Sequence, residues 1–480
     1  MADSDIERLR DAIDDAWEEA LNFGLDPFPT HFELVPATIM YEFASYSLPG
    51  RFSHWTHGKA YYRQKMQYDF GLSKIYEMVV NTNPSYAFLM EMNNLLQNTF
   101  VAAHVFGHTD FFKNNAYFQH TSRRMIDKVS IHAERIAKYE FDHGKAEVER
   151  FLDAVLSIQE HVDYNLLIRE NEPEHREVRK AAHQLATEYD DLWGLEKKAK
   201  RAEEERDLRP GKPPKFPEKP EKDILEFLVK YAPHLQPWQR DIIEIVRTEM
   251  LYFVPQMQTK VMNEGWASIW HSRIMRKLGE RGVISDSETV EFAQLHSGVL
   301  SPSRTSLNPY YLGFKMFEDI ERRWDNPTKE EQERFGRKPG MGRQKIFEVR
   351  ELENDVSFLR NYLTKDLVKE LDLYLYKKEG DEWVIVEKDW QKVRDGIVAS
   401  MTNFGYPYLV VENGDYRGNR ELYIKHLFEG QELDLNYAEK TLQHVYLLWG
   451  RPVHLETVYE GKKILLTYDG ERNSKSTLEK

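Results

Sequence analysis

Two histidines four residues apart, His104 and His108, are the first candidates for chemistry, within the string AAHVFGHTDFFKNN (residues 102–115). On a helix, side chains at this spacing project from one face, so both imidazoles can bind one metal ion. The spacing is weak support by itself, because a chain with 17 histidines contains on the order of one such pair by chance. A pair of structural histidines is the alternative interpretation.

A second candidate group lies in the string NEGWASIWHSRI, residues 263–274. Glu264 and His271 are two helical turns apart and therefore share one face of a helix. Gly265 would allow a second helix to approach closely, and two neighbouring tryptophans supply apolar packing area. The string predicts a packed helix that carries a carboxylate and an imidazole.

Together, the two strings resemble the metal-binding helices of one large class of zinc hydrolases. In that class, one helix supplies two histidines in an HExxH motif, and a later helix supplies a glutamate within a Glu-Gly-aromatic-Ala string. HVFGH and EGWA are similar to these strings in their order and helical context. The resemblance implies that His104, His108 and Glu264 are the protein ligands of a divalent ion such as zinc, with one position left for water.

The sequence departs from that class at position 105, where Val105 replaces the general-base glutamate. Without this carboxylate, water on the metal lacks its usual proton acceptor. Glu91, Asp110 and His271 are the candidates to replace it. A metal site with a different reaction and a purely structural site both stay open. Val105 itself fits either a hydrolase scaffold that has lost its base or a buried core position.

Other histidines are better explained by structure than by chemistry. His54 and His57, in RFSHWTHGK, are three residues apart next to a Pro-Gly pair, which indicates irregular backbone. His143 lies near a predicted helix end, where a cationic imidazole meets the helix dipole favourably. His296 fits either a position in the core or a position in contact with a metal ligand. The chain has no Gly-x-Ser-x-Gly string, so a serine hydrolase of that type has no support.

Composition limits the function classes further. The 480 residues are 41% hydrophobic and 30% charged, an ordinary globular balance, and the net charge of −14 argues against a nucleic-acid-binding surface. The chain has no cysteine, which excludes disulfides, thiolate catalysis and cysteine-ligated metals, so His, Asp or Glu must hold any ion. The first 24 residues have neither the basic start nor the apolar core of a signal peptide, so we do not expect secretion, and no apolar run approaches about 18 residues. We expect a cytoplasmic protein without a membrane span.

The elements that must position these residues are predicted to be helices. We expect an all-helical body over residues 1–169 and 223–335, arranged as in the zinc hydrolases if the resemblance extends to the fold. Within it, the proline-interrupted residues 25–55 are predicted to be irregular. One helix is expected over residues 60–81, and a long one from near Ser85 carries the histidine pair.

The rest of the chain divides into a linker and a second domain. Residues 170–222 are charged and proline-rich, and we predict a linker that is mobile over 196–222. Residues 345–472 are predicted to form an α+β domain, with helices over 390–404 and 437–449. Its predicted strands are LDLYLYKK, EWVIVEK, YPYLVVENG, ELYIKHLFEG, PVHLETVYEG and KILLTYDG.

Long strings along almost the whole chain resemble the stage V sporulation protein R family, the SpoVR-like proteins. The strings that carry the resemblance are RFSHWTHGK, YDFGLSKIYEMVVNTNPSYAFL, AHVFGHTDFFKNN, FLDAVLSIQEHVD, MNEGWASIWH, NPYYLGFKMFEDIE, FLRNYLTKDLV, ELYIKHLFEG and LWGRPVHLETV. The resemblance implies a role in forming the spore cortex, a modified peptidoglycan layer. It also implies protein partners in sporulation or in a serine protein kinase pathway, and a general stress function for members in bacteria that do not sporulate.

Two hypotheses of function follow. The first is a metal-dependent enzyme with His104, His108 and Glu264 as ligands and His271 behind them. The second is a non-enzymatic assembly or regulatory factor that binds partner proteins. HVFGH together with EGWA favours the first, and Val105 favours the second.

Overall fold

The computed structural model describes residues 3–69, 77–165, 216–302, 307–380 and 382–478. The chain forms two compact units, each built from two separate stretches. Unit 1 comprises Met1–Glu149 and Thr248–Tyr406, and unit 2 comprises Arg150–Arg247 and Pro407–Lys480. The predicted linker, residues 170–222, lies outside the described residues as far as residue 215, so its mobility stays a prediction.

The described fold is mainly helical, with a strand-rich C-terminal region, as the sequence predicts. In chain order the helices are α1 (Asp3–Asn22), α2 (Ala37–Tyr46), α3 (Trp55–Asp69), α4 (Leu95–Asn114), α5 (Met125–His143), α6 (Lys145–Leu156), α7 (Ile224–Tyr231), α8 (Pro237–Gln258), α9 (Lys260–Glu280), α10 (Asp286–Val299), α11 (Pro309–Asp325), α12 (Lys329–Phe335), α13 (Gly342–Leu352), α14 (Asp355–Tyr362), α15 (Lys365–Glu370), α16 (Trp390–Met401) and α17 (Leu435–Trp449). None of them is long and apolar enough to cross a membrane.

Unit 1 contains a three-stranded sheet, so the expectation of an all-helical body is wrong. Its strands are β1 (Thr30–Val35), β2 (Glu77–Val80) and β3 (Ser85–Met90), in the order β1-β3-β2. The central strand β3 pairs in parallel with β1 and antiparallel with β2. Five of the six residues of β3 are buried, so buried and exposed residues do not alternate along it. Periodicity cannot distinguish such a continuous buried run from a helix.

Three segments of this region therefore differ from the sequence-based expectation. The stretch expected to be irregular, residues 25–55, contains β1 and α2. The helix expected over residues 60–81 ends at Asp69, and β2 follows from Glu77. The long helix begins at Leu95 rather than near Ser85, because Asn94 and Gln97 form a reciprocal capping box at its start.

Three helices of unit 1 form the centre of the core around the candidate site. Helix α4 is buried over almost its whole circumference, as expected of a helix surrounded by other elements. Helix α9 packs against α4 on one side and α11 on another. Their apolar side chains belong to one large buried cluster, which includes Val105, Trp266, Trp270 and Phe317.

The C-terminal strands fall where the sequence places them. They are β4 (Leu375–Glu379), β5 (Glu382–Glu387), β6 (Leu409–Tyr416), β7 (Glu421–His426), β8 (Val453–Tyr459), β9 (Lys462–Tyr468) and β10 (Asn473–Thr477), of which only β10 has no counterpart among the predictions. Strands β4 and β5 form a hairpin in unit 1. The other five form one sheet in unit 2, in the order β10-β9-β8-β7-β6, with a single parallel pair, β7 and β8. Residues 345–406, which the sequence division joins to these strands, lie in unit 1.

Candidate metal centre

The histidine pair and the glutamate lie on two adjoining helices, α4 and α9, as predicted. His104 and His108 are one turn apart on α4, and both are buried. Glu264 lies in the second turn of α9, and its side chain is 18% exposed. The structure therefore brings together three side chains that are distant in sequence.

The ligand atoms of these three side chains converge on one point. The Nε2 atoms of His104 and His108 each lie 3.5 Å from Oε2 of Glu264. One ligand atom from each residue lies within 4.8 Å of the other two, and no other group of three His, Asp or Glu residues in the described ranges meets this condition. Ligands about 2.1 Å from a tetrahedral ion are about 3.4 Å apart. The separations to Glu264 therefore fit one zinc-sized ion.

Close backbone contact between helices makes this convergence possible. A Cβ added to Gly107, between the two histidines, would lie 2.6 Å from Cα of Ala267 on α9. A Cβ added to Gly265 would overlap the backbone of Gly313 on α11. Gly265 thus has the role that the sequence suggests for it, and Gly107 likewise allows α4 to approach α9 closely.

Each histidine of the pair has its other ring nitrogen occupied. Nδ1 of His104 lies 2.8 Å from Nδ1 of His271, and Nδ1 of His108 lies 3.0 Å from Oδ1 of Asn263. Partners of this kind fix the tautomer and the ring orientation of metal-binding histidines. They leave both Nε2 atoms directed at Glu264.

A chain of three histidines extends from the site toward the surface of unit 1. After His104 and His271, the third histidine is His296, whose Nδ1 lies 2.8 Å from Nε2 of His271. His296 is half-buried. Burial lowers the pKa of His271 well below its usual value, and the nearby imidazole of His104 adds to this effect. Burial, together with the charge of Arg276, lowers the pKa of His296 to about 4. Both residues are therefore neutral near pH 7.

Aromatic rings enclose the histidine pair. The ring of Tyr310 stacks on His104 with a centroid separation of 6.0 Å, and the ring of Phe112 stacks on His108 at the same separation. Sequence reasoning missed Tyr310 and Asn263 as parts of the site. Asn263 directly precedes Glu264, but no spacing rule marks it, since its role depends on the distance between α4 and α9.

The electrostatics of Glu264 favour its ionised form. Burial alone raises the pKa of this carboxyl, but its interactions with His104, His108 and Lys260 outweigh burial and lower the pKa. Glu264 is therefore a carboxylate at neutral pH, which is the form that binds a cation.

Two buried polar atoms at the centre fit a metal ion better than they fit the protein alone. Within the described residues, Nε2 of His104 and Oε2 of Glu264 have no hydrogen-bond partner. Unsatisfied buried groups of this kind are costly, and a divalent ion between them would satisfy both. A set of two imidazoles and one carboxylate suits zinc and similar divalent ions.

Two of the three candidate bases do not belong to the converging group of ligand atoms. The Asp110 carboxylate accepts hydrogen bonds from the indole Nε1 of Trp266 at 2.8 Å and from the backbone N–H of Asp26 at 2.7 Å. Both carboxylate oxygens of Asp110 are therefore engaged in hydrogen bonds within the protein. Glu91 is exposed just after β3 and is not part of the converging group. His271 alone lies at the site, behind His104.

Val105, His54 and His57 are buried in unit 1 outside the candidate metal centre. Val105 is fully buried within the apolar cluster of unit 1. His54 and His57 are buried, with ring centroids 6.1 Å apart, and they belong to no group of three potential ligands in the described ranges. Burial, together with the charge of Arg51, lowers the pKa of His57 to about 4, as for an ordinary core imidazole.

Comparison with known proteins gives two family matches and one similar protein. A family model described as SpoVR like protein matches residues 3–406, and one described as SpoVR-like C-terminal domain matches residues 407–460. The uncharacterized protein YcgB of Escherichia coli (strain K12) is 29% identical over 468 residues, covering 92% of this chain and 90% of that protein. No solved structure matches the chain. Since the two family models together span nearly all of the sequence, the chain belongs to the SpoVR-like family.

Proposed function

We propose that this chain binds one divalent metal ion, zinc first among the candidates, through His104, His108 and Glu264. The observation that carries the proposal is the convergence of their ligand atoms, with each histidine held by a partner on its other nitrogen. Three protein ligands are typical of zinc sites that work on a substrate, whereas structural zinc sites usually have four. Such an ion would polarise a bound substrate oxygen.

The reaction would differ from that of the HExxH hydrolases. Val105 lies in the apolar core, and neither Asp110, whose oxygens accept hydrogen bonds within the core, nor Glu91 belongs to the converging group. We therefore propose that neither carboxylate candidate supplies a base. The chain's own contribution is to hold the ligands, to enclose them with aromatic rings and to keep His271 neutral. We propose that this activity supports sporulation, in formation of the spore cortex, from the cytoplasm.

A second candidate function is a non-enzymatic assembly or regulatory factor. The missing base favours it, because a metal site without an acid–base group can serve as a structural element. Its partners would be proteins of sporulation or of a serine protein kinase pathway. A variant that binds no metal yet supports a normal cortex, seen by electron microscopy in a sporulating host, would favour this alternative.

Elemental analysis of the purified protein tests the metal proposal. We expect about one equivalent of divalent metal in the wild-type protein, and loss of most of it in His104→Ala, His108→Ala and Glu264→Gln. His31→Ala is the matched control, since His31 is exposed on β1 and outside the site. The proposal fails if wild-type protein reloaded with zinc holds none, or if the three variants hold as much as the control.

A further inference from the structure

A pocket of about 500 Å³ opens in unit 1 beside the first turn of α9. This volume lies within the range typical of ligand sites, about 300–1,000 Å³. Its wall is formed by the ends of several elements, α8, α9, α14 and α16. The lining side chains used below are Gln258, Lys260, Val261, Arg360, Met401 and Phe404. We call it the basic pocket.

Two cations line the basic pocket, and the charge of one of them, Lys260, also lowers the pKa values of Glu264 and Asp355. Lys260 and Arg360 are both exposed, and neither forms an ion pair with any residue in the described parts of the chain. The one acid in the lining, Asp355, is buried and accepts hydrogen bonds from the backbone N–H groups of Val261 and Met262, at 2.8 and 2.9 Å. The positive charge at the mouth is therefore available to a ligand.

The pocket also offers a buried acceptor and an apolar wall. Oε1 of Gln258 is buried and has no hydrogen-bond partner among the described residues. Val261, Met401 and Phe404 provide apolar surface next to it. A ligand that fits must therefore combine a hydrogen-bond donor with anionic oxygens and some alkyl surface. A simple phosphate ion has the charge and an O–H donor but lacks the alkyl surface.

The backbone at the rim of the pocket is held in an unusual conformation. Asn403 and Phe404 have positive φ angles, 48° and 61°. Asparagine tolerates this region, but a bulky residue such as phenylalanine adopts it rarely, and such strain is concentrated at binding and active sites. The strained turn presents Phe404 to the pocket lining.

We infer that the basic pocket binds an acidic peptide segment. Arg360 and Lys260 would pair with its carboxylates, the Gln258 amide would accept a backbone N–H, and the apolar wall would contact the alkyl parts of the side chains. Arginine suits carboxylates because its planar fork can donate two parallel hydrogen bonds.

The position of the pocket connects this inference to the candidate metal centre. Lys260 precedes Glu264 by one turn on α9, and its charge contributes to the lowered pKa of Glu264. Pro309, in the pocket lining, is followed by Tyr310, which stacks on His104. The idea that the peptide is the substrate of the metal centre rests on the proposed function. The binding itself needs no metal ion.

Titration of metal-free protein with three probes tests the inference. The probes are a fluorescein-labelled Glu-Glu-Glu peptide, the same label on Gln-Gln-Gln, and inorganic phosphate as a competitor. We expect the acidic peptide to bind more tightly than the neutral one, and phosphate to compete weakly. Lys260→Ala/Arg360→Ala should weaken binding about five- to tenfold at low salt, as for two exposed charges, and Gln258→Leu should weaken it further. Higher salt should reduce the affinity of the wild type.

A matched variant and a second measurement complete the test. Lys365→Ala/Lys369→Ala removes two exposed lysines outside the pocket and should leave the affinity unchanged. Circular dichroism melting confirms that the variants are folded. The inference is overturned if the two peptides bind equally, if phosphate displaces the acidic peptide with the same affinity, or if the pocket variant binds like the control. Because chelated protein is used, a chain that fails to bind metal still tests the pocket.

Discussion

The hydrogen-bond pattern around the histidine pair defines a single set of tautomers if Nε2 of each faces a metal ion. His104 then carries its proton on Nδ1 and donates it to Nδ1 of His271, which in turn donates from Nε2 to Nδ1 of His296. His108 donates from Nδ1 to Oδ1 of Asn263. All three histidines of the chain are neutral in this arrangement, in agreement with the lowered pKa values of His271 and His296.

Replacing His271 should weaken metal binding without removing a ligand. His271→Phe fills a similar space but cannot accept the proton of His104, so we expect the zinc affinity to fall about 10–100-fold. His271→Gln, which can still accept a hydrogen bond, should restore part of the loss. Competition with a chelator of known affinity measures both. If His271→Phe binds zinc as tightly as the wild type, the imidazole is only a packing residue. If the Phe and Gln variants lose zinc affinity equally, the hydrogen bond to His104 is not the cause of the loss.

Placing a glutamate at position 105 should destabilise the protein rather than create a hydrolase. Val105 is fully buried in the apolar cluster, so Val105→Glu would bury an unpaired charge and lower the free energy of unfolding by about 3–5 kcal/mol. Val105→Ala, which adds no charge, should cost less. Thermal melting with and without zinc checks this. A folded Val105→Glu protein that zinc stabilises would instead place the side chain at the metal site.

Residue-level reasoning from the sequence found the three converging side chains but not their surroundings. His104 and His108 could be selected by their helical spacing, which is a local property of a sequence, and Glu264 by the resemblance of EGWA to the second string of the zinc hydrolases. The partnership of His108 with Asn263 depends on how deeply α4 and α9 approach each other. No local pattern encodes that distance.

At the level of elements, the close contact between α9 and α11 constrains the helix that carries Glu264. Gly265 and Gly313 face each other, and a side chain on either would meet the other's backbone. We expect Gly265→Ala to cost about 1–3 kcal/mol or more, because the helices must separate to admit one methyl group. It should also weaken zinc binding, since Glu264 is the preceding residue. Urea unfolding and metal titration measure the two effects.

A glycine in an open part of the same unit provides the control. A Cβ on Gly298, in α10, would meet nothing within 4 Å. Gly298→Ala should therefore be neutral or slightly stabilising, since alanine favours a helix over glycine. Equal destabilisation by the two substitutions would contradict the close-contact explanation.

The start of α9 depends on a buried acid and should give the stability a pH dependence. Burial raises the pKa of Asp355 from 3.8 to about 7, although hydrogen bonds from the N–H groups of Val261 and Met262 lower it in part. The folded chain then holds a proton that the unfolded chain releases. Stability from this group is fully present below about pH 4 and is lost as the pH rises to about 7.

Asp355→Asn should remove this contribution, since the amide does not titrate. We expect the free energy of unfolding of the wild type to fall, relative to that of the variant, between pH 4 and pH 7. The comparison must be with the variant, because histidines with a lowered pKa give the opposite slope below about pH 6.5. Urea unfolding at several pH values supplies the data. Parallel curves for the two proteins would rule out Asp355 as the titrating group.

Elements with a clear period or clear turns could be predicted, and short buried strands could not. Strands β6 to β9 follow turn signals and β-forming residues closely, so the sequence places each of them. The sequence predicts a helix where β3 lies, because both faces of this strand are covered and the alternation that marks a strand is absent. The capping box at Asn94 was the signal that could have corrected the boundary.

At the scale of the whole molecule, the units do not follow the order of the chain. Unit 2 combines Arg150–Arg247 with Pro407–Lys480. The second stretch of unit 1, Thr248–Tyr406, lies between these two segments in the sequence. A division by composition can find where a sequence changes character, but it cannot show which distant segments share a core. The boundary between the two family models, after residue 406, coincides with the end of a stretch of unit 1.

The C-terminal segment should therefore not fold by itself. Within unit 2, Trp449 is fully buried and stacks on Phe227 with a centroid separation of 5.6 Å. Strand β6, at one edge of the sheet, exchanges two backbone hydrogen bonds with Glu221 through Val411, at 2.7 and 3.0 Å. A fragment of residues 407–480 would expose this tryptophan and an open strand edge, which favours unfolding or aggregation.

Co-expression distinguishes a missing partner segment from a generally unstable sheet. We expect residues 407–480 alone to give poor dispersion in an amide NMR spectrum, and co-expression with residues 150–247 to yield a folded complex, because that segment supplies Phe227 and Glu221. Phe227→Ala in the added segment should weaken the complex, since truncating a buried phenylalanine typically costs about 3–5 kcal/mol. Replacing Tyr437, which is 73% exposed, should have little effect on it. A well-dispersed spectrum from residues 407–480 alone would show instead that the sheet and α17 contain enough core to fold. Residues 150–247 would then be an addition to a domain that is already complete.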